Sequence, residues 1–247
     1  MAKFGEITRN QEEDLLSKID SACGGNGIRR FQANELVLGE KDRKVSASGL
    51  ANGGVTYATG IDTAAFLADW QKHFLEVYGL TVDLSGVPLP AVRQGFGWGV
   101  VRIPELTAQK MFDVLTIKFK TWKWCGDIDQ DLDQTKEART TTNGPYVVWL
   151  RDRIEADEEL KNLSANDLAE RGTNCITEPE RIALEGWFYW KTGGHLDIKN
   201  VTLSAGSCWS VGIVPFAGWR DGGGFYVDWC FTGVRCGNVR AREVVSL

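Results

Sequence analysis

The run Thr177-Glu178-Pro179-Glu180 combines a helix N-cap, a first-turn proline and a glutamate three residues past the cap, and four strand signals follow it closely. The reciprocal cap fixes where a helix starts. Gly193-Gly194 fixes where it stops, so the helix covers about Glu178 to Thr192. Its face of Ile182, Gly186, Trp187 and Trp190 marks it as a core helix packed on a sheet. The strand signals are Val201–Leu203, Ile213–Trp219, Phe225–Cys230 and Val239–Val245. Upstream, Phe66, Trp70, Phe74 and Val77 recur at helical spacing after Asp62 or Thr63, with Gly79 as the stop. Gly95–Ile103 predicts a strand, Thr107 caps an amphipathic helix through Met111, Val114, Leu115 and Lys118, and Tyr146–Leu150 is a compact apolar strand. The pattern predicts an α+β domain in which two main helices pack on a mostly antiparallel sheet.

Residues 1–60 predict an N-terminal helical appendage. Thr8 can cap a helix to about Ala22, ended by Gly24, Gly25 and Gly27, and residues 29–59 form a connector or a small hairpin around Leu36–Leu38. Residues 61–247 then form the main domain.

Composition excludes several classes. A net charge of −5 over 247 residues argues against a general nucleic-acid binder, and no basic stripe interleaved with aromatics stands out. No apolar run approaches the ~20 residues that span a bilayer, and Met1–Asn10 lacks an apolar signal core. The expectation is a soluble protein without a signal peptide, cytoplasmic or virion-associated. The six Cys show no C-x-x-C pair, and zinc on Cys230, Cys236 and His195 lacks tight ligand spacing, so free thiols without a metal or other cofactor are expected. Asp127, Asp129, Asp131 and Asp133 begin like a calcium loop, but Leu132 replaces the needed Gly and Ala138 the closing Glu, leaving a solvated loop.

The segment from Ser204 to Leu247 differs from the rest. It has no Lys, Gln or Met, one Glu (Glu243), and Cys208, Cys230 and Cys236 beside Trp209, Trp219 and Trp229. Phe225, Val227 and Trp229 alternate with Tyr226, Asp228 and Cys230, the period of a strand with one buried face. The other face carries aromatic, acidic and thiol groups where a solvated strand normally carries Lys, Glu or Thr. Such a face is suited to contact.

Gly144-Pro145-Tyr146-Val147-Val148-Trp149, the stretch from Arg151 to Ser164, and His195-Leu196-Asp197 before Asn200-Val201-Thr202-Leu203 resemble the variable proteins of diversity-generating retroelements. The resemblance covers about Ile61 to Leu247 and implies a C-type lectin fold, shared with formylglycine-generating domains. It also implies that a reverse transcriptase rewrites the 3′ end of the gene at template adenines. AAY codons then become any NNY codon, from which Lys, Gln, Glu, Met and Trp are unreachable.

Under that resemblance the variable, ligand-binding positions are Cys208, Trp209, Ser210, Val211, Phe216, Gly218, Arg220, Asp221, Tyr226, Asp228, Cys230, Phe231, Val234, Arg235 and Cys236. Trp209 fits least, since it needs a different parent codon. Gly206, Val214, Pro215, Trp219, Trp229, Arg240 and Arg242 are the expected fixed positions, with the arginines bonding carbonyls or carboxylates. The implied function is non-catalytic, receptor-like binding of a protein ligand by a monomer, since aromatics and Arg dominate protein hot spots. The alternatives are a cysteine oxidase resembling the formylglycine-generating enzymes, on the similarity of Ala205-Gly206-Ser207-Cys208-Trp209 to their Gly-Gly-Ser-Trp run, and a homo-oligomeric scaffold.

Overall fold

A computed structural model describes residues 61–209, 212–220 and 222–247; the predicted appendage, Ser210, Val211 and Asp221 lie outside the described residues. Helix α1 (Thr63–Tyr78) starts where Asp62 accepts the Ala65 N–H at 3.0 Å and ends at Gly79 in the left-handed conformation. Strand β1 (Trp98–Arg102) is buried throughout. Helix α2 (Ala108–Lys118) is capped by Thr107, and a three-residue strand, β2 (Thr121–Lys123), follows at once. The short helix α3 (Ile128–Asp131) precedes β3 (Tyr146–Leu150). A 3-10 turn (Glu158–Leu160) and α4 (Ala165–Glu170) lead to α5 (Glu178–Thr192), which carries the predicted capping box and ends at left-handed Gly193. The chain closes with β4 (Val201–Leu203), β5 (Ile213–Trp219), β6 (Phe225–Phe231), β7 (Val239–Ala241) and β8 (Val244–Val245).

The α+β expectation holds, but the strands form two sheets rather than one. The smaller is antiparallel in the order β1-β3-β8, and the larger runs β2-β6-β5-β4-β7. Within the larger, β5 is antiparallel to both neighbours, while the edge strands β2 and β7 run parallel to β6 and β4. The predicted run Val239–Val245 splits because its two ends serve different sheets: Ala241 pairs with Leu203, and Val245 pairs with Trp149.

Helix α5 packs against α1, α2, β1 and β5. Trp187 stacks on Trp70 of α1 at 5.8 Å and 10° between planes. Gly99 permits the closest approach, since a Cβ there would lie 2.4 Å from the Trp149 ring and 2.6 Å from Phe66. The core also holds charge. Asp197, fully buried, accepts from Arg181 Nε at 2.9 Å, Arg242 Nη2 at 2.7 Å and Thr202 Oγ1 at 2.5 Å. Arg242 also donates to the carbonyls of Arg153 and Ile154, and Arg181 to Glu185 at 2.9 Å. Each charge of this cluster, Arg181, Glu185, Asp197 and Arg242, is paired, the condition under which burial is tolerated. The expected role of Arg242 in fixing the last strand is met by these bonds, and Arg240 pairs with Glu158 at 2.5 Å. No helix among the described residues is long and apolar enough to cross a membrane.

Candidate functional site

The β5–β6 hairpin positions most of the candidate residues. Its register runs from Ile213 opposite Phe231 to Trp219 opposite Phe225, so the two strands form one continuous ladder. The connecting turn takes Gly222 and Gly223 through positive φ, and Gly224 accepts the Arg220 N–H at 2.9 Å. On β6, Phe225 and Val227 are fully buried, while Tyr226 and Asp228 are half-buried on the opposite side. Arg220 lies between rings, its guanidinium 4.3 Å from the Trp122 ring and 4.5 Å from that of Tyr226. Asp228 approaches it at 3.9 Å. Burial pushes the Asp228 carboxyl up to about 6, with the Trp229 N–H and Arg220 opposing the rise.

The loop after β6 carries the rest. Phe231 is half-buried, edge-on to Trp229 at 5.4 Å, and Val234 donates its N–H to the Phe231 carbonyl. Arg235 is exposed and forks onto Asp167 at 2.7 and 2.5 Å, which together with Ser164 holds the Asp167 carboxyl well below the usual carboxylate range. Cys236 is half-buried with its Sγ 2.7 Å from Asn238 Oδ1.

Five expected surface positions are buried instead. Cys208 and Trp209 do not sit in an open loop: Trp209 bridges to Leu132 and stacks on Trp124 at 5.8 Å, and the Cys208 carbonyl accepts the Asp133 N–H at 2.8 Å. Phe216, 1% exposed, is fixed between Leu203 and Asp228 across the neighbouring strands. Gly218 has no room for a side chain, since a Cβ would meet Val201 Cγ1 at 3.0 Å and the Asn200 carbonyl at 3.3 Å. Cys230 alternates correctly with Tyr226 and Asp228, but its end of β6 leads straight into the Thr232 carbonyl, which accepts the Asn166 N–H of α4, and the thiol is buried. Burial raises both thiols, Cys230 to about 12. The described surface of the candidate site therefore reduces to Arg220, Tyr226, Asp228, Phe231, Val234, Arg235 and Cys236.

At the start of α5 is a junction of carboxyls. The Ser207 hydroxyl accepts the Glu178 N–H at the start of α5 and donates to Glu137 Oε2, both at 2.8 Å. Burial lifts Glu137 to about 8 and Glu178 to about 7, while Arg139, forked onto Glu180, overcomes the burial of that carboxyl and brings it below its ordinary value. Gly206 enters the same junction: a Cβ there would lie 2.5 Å from the Cys175 carbonyl.

Two tryptophans outside the 204–247 segment border the site. Trp122 on β2 sits in register with Tyr226, and Trp124 contacts Trp209 and Trp229; they are 40% and 37% exposed. Their signal is Lys118-Phe119-Lys120-Thr121-Trp122-Lys123-Trp124, which corrects the expectation that no basic stripe interleaves with aromatics. Within the run Asp127–Asp133, Ile128–Asp131 form a helical turn rather than a solvated loop, with Ile128 buried and Asp127 accepting the Asp129 and Gln130 N–H groups. Among the described residues no group of His, Cys, Asp and Glu is arranged to hold a metal ion. Neither a protein-family model, nor a curated protein, nor a solved structure matches the chain.

Proposed function

We propose that the chain is a non-catalytic binding protein of C-type lectin fold, a variable protein of a diversity-generating retroelement that presents a diversified surface to a protein ligand. The observation that carries this reading is the arrangement of Arg220, Tyr226 and Asp228. They lie together on one side of a hairpin whose other side is locked into the core by Phe225 and Val227. A surface of this kind can change its side chains without disturbing the fold beneath.

The burial pattern favours the same reading over a cysteine oxidase. Cys208 and Cys230 are buried thiols with raised pKa values, the environment of an inert cysteine rather than a nucleophilic one. Trp209, which an NNY codon cannot encode, is also buried and stacked, as a fixed residue should be. A monomer is part of the proposal, and light scattering over a dilution series should give a constant monomer mass.

The decisive experiment sequences the DNA flanking the gene. A near-copy of codons 204–247 beside a reverse transcriptase gene is expected, with mismatches only at template adenines and concentrated at codons 220, 226, 228, 231, 234, 235 and 236. A flank without such a copy would refute diversification.

A further inference from the structure

The proposed surface leaves the edge of the larger sheet unused. From Ile117 to Trp124 the chain reads Ile-Lys-Phe-Lys-Thr-Trp-Lys-Trp, with three lysines and no acid in a protein of net charge −5. Among the described residues six large apolar side chains stand exposed, and three of them fall in this stretch: Ile117, Trp122 and Trp124. Lys118 and Lys120 are exposed between them, and Arg220 covers one side of Trp122. Lys123 turns its ammonium back onto the Cys125 and Gly126 carbonyls.

Strand β2 ends its sheet, with β6 on one side and no described strand on the other. The Lys120 carbonyl accepts the Phe225 N–H and the Trp124 N–H donates to the Val227 carbonyl, both at 3.0 Å. In a parallel ladder, residues 120, 122 and 124 therefore turn their backbone groups toward β6, while Thr121 and Lys123 turn theirs outward. Lysines on an edge normally guard it against pairing. An edge that is merely guarded has no reason to carry two exposed tryptophans, whereas an edge that receives a strand uses aromatics and charge to choose it.

We propose that β2 is the docking edge for an extended acidic segment of a partner protein, which adds as a strand beside Thr121–Lys123. Its carboxylates meet Lys118, Lys120 and Arg220, and its apolar side chains meet Trp122 and Trp124. Apart from Arg220 these residues lie outside the 204–247 segment, so the contact of Lys118, Lys120, Trp122 and Trp124 is constant and does not depend on diversification. Nucleic acid fits less well, because a short basic run in an acidic protein gives little field for a polyanion. A bilayer fits less well too, because lipid cannot satisfy the outward backbone groups of an open strand.

The test uses a fluorescein-labelled peptide of repeating Glu-Thr-Val-Thr, whose Glu and Val side chains share one strand face, titrated with the full chain at low salt and followed by anisotropy. Saturable binding is expected, at least about tenfold weaker for Trp122→Ala and for the Lys118→Glu/Lys120→Glu double variant, and unchanged for Lys199→Glu. N-methylation of alternate peptide residues should abolish binding, since it removes strand pairing without touching the protein. Circular dichroism of each variant separates lost binding from lost folding, and the double variant changes only exposed side chains. The proposal is overturned if the peptide does not bind, if a Lys-Thr-Val-Thr repeat binds as well, or if the N-methylated peptide binds equally. Tighter binding to oligothymidine or to phosphatidylserine vesicles than to the acidic peptide also overturns it.

Discussion

Glu178→Gln should stabilise the protein by an amount that grows with pH. Glu178 is fully buried in the first turn of α5, and burial raises its carboxyl from an ordinary 4.5 to about 7, with Ser204 and Arg181 opposing. A carboxyl whose folded pKa lies above its unfolded value stabilises the fold in its protonated form. That contribution is complete below pH 4.5 and is lost as pH rises through 7. At about 1.4 kcal/mol for each pH unit, the span from 4.5 to about 7 is worth about 3 kcal/mol by pH 8.5. Glutamine keeps the shape and cannot ionise, so it escapes this loss. Urea unfolding of both proteins at intervals from pH 4.5 to 8.5 measures the difference directly. The variant's relative stability should climb through the window and level off above pH 7. Glu137, raised to about 8 at the same junction, titrates in both proteins and largely cancels in the comparison, although its repulsion with Glu178 steepens the wild-type loss. A difference that stays constant across the pH range would refute the assignment of a buried, ionising carboxyl.

Arg242→Met should cost about 3–5 kcal/mol in urea unfolding, because it takes a donor from Asp197, Thr202 and two carbonyls and leaves Arg181 as the one buried cation against Asp197 and Glu185. Phe216→Ala should cost about 3–5 kcal/mol by the same assay, against less than about 0.5 kcal/mol for Val234→Ser; equal effects would return Phe216 to the surface. Gly206→Ala should lower the thermal midpoint, since its Cβ would sit 2.5 Å from the Cys175 carbonyl, while Gly237→Ala, which meets nothing within 4 Å, should leave it nearly unchanged.

The elements that carry their own end signals were legible in the sequence. Asp62 with Gly79, Thr107, and Thr177 with Glu180 and Gly193 each place a helix through local hydrogen bonds that require no tertiary partner. Tyr146–Leu150 was legible as a short apolar run bounded by Gly144-Pro145 and Arg151. Strand β2 was not, because the three residues Thr121-Trp122-Lys123 have no period long enough to detect and become a strand only against β6. The split between β7 and β8 was hidden for a related reason: the run Val-Arg-Ala-Arg-Glu-Val-Val does not record that its two ends pair with different sheets. Alternation along β6 correctly placed Tyr226 and Asp228 opposite Phe225 and Val227, yet it put Cys230 on the surface too. Periodicity identifies a face, and only the tertiary fold decides what covers it. The pairing of Arg181 with Asp197 was equally out of reach, since sixteen residues and a turn separate the partners.

Trp122 joins the two surfaces argued above. It supports Arg220 from one side while Tyr226 supports it from the other, so the guanidinium is held by a residue of the constant edge and a residue of the proposed varied hairpin. Arginine at 220 therefore has its pose set from outside the segment that encodes it. Replacing Tyr226 by a smaller residue removes one ring and leaves the other, so Arg220 keeps a reduced cation–π contact of about 0.5–1 kcal/mol at an exposed site. Replacing Trp122 removes the constant support and makes the orientation of Arg220 depend wholly on what occupies position 226. A crystal structure of Trp122→Ala with Arg220 still 4.5 Å from the Tyr226 ring would show that the edge is dispensable for the hairpin. An Arg220 swung toward Asp228, now 3.9 Å away, would show that the constant edge orients the residue a ligand meets.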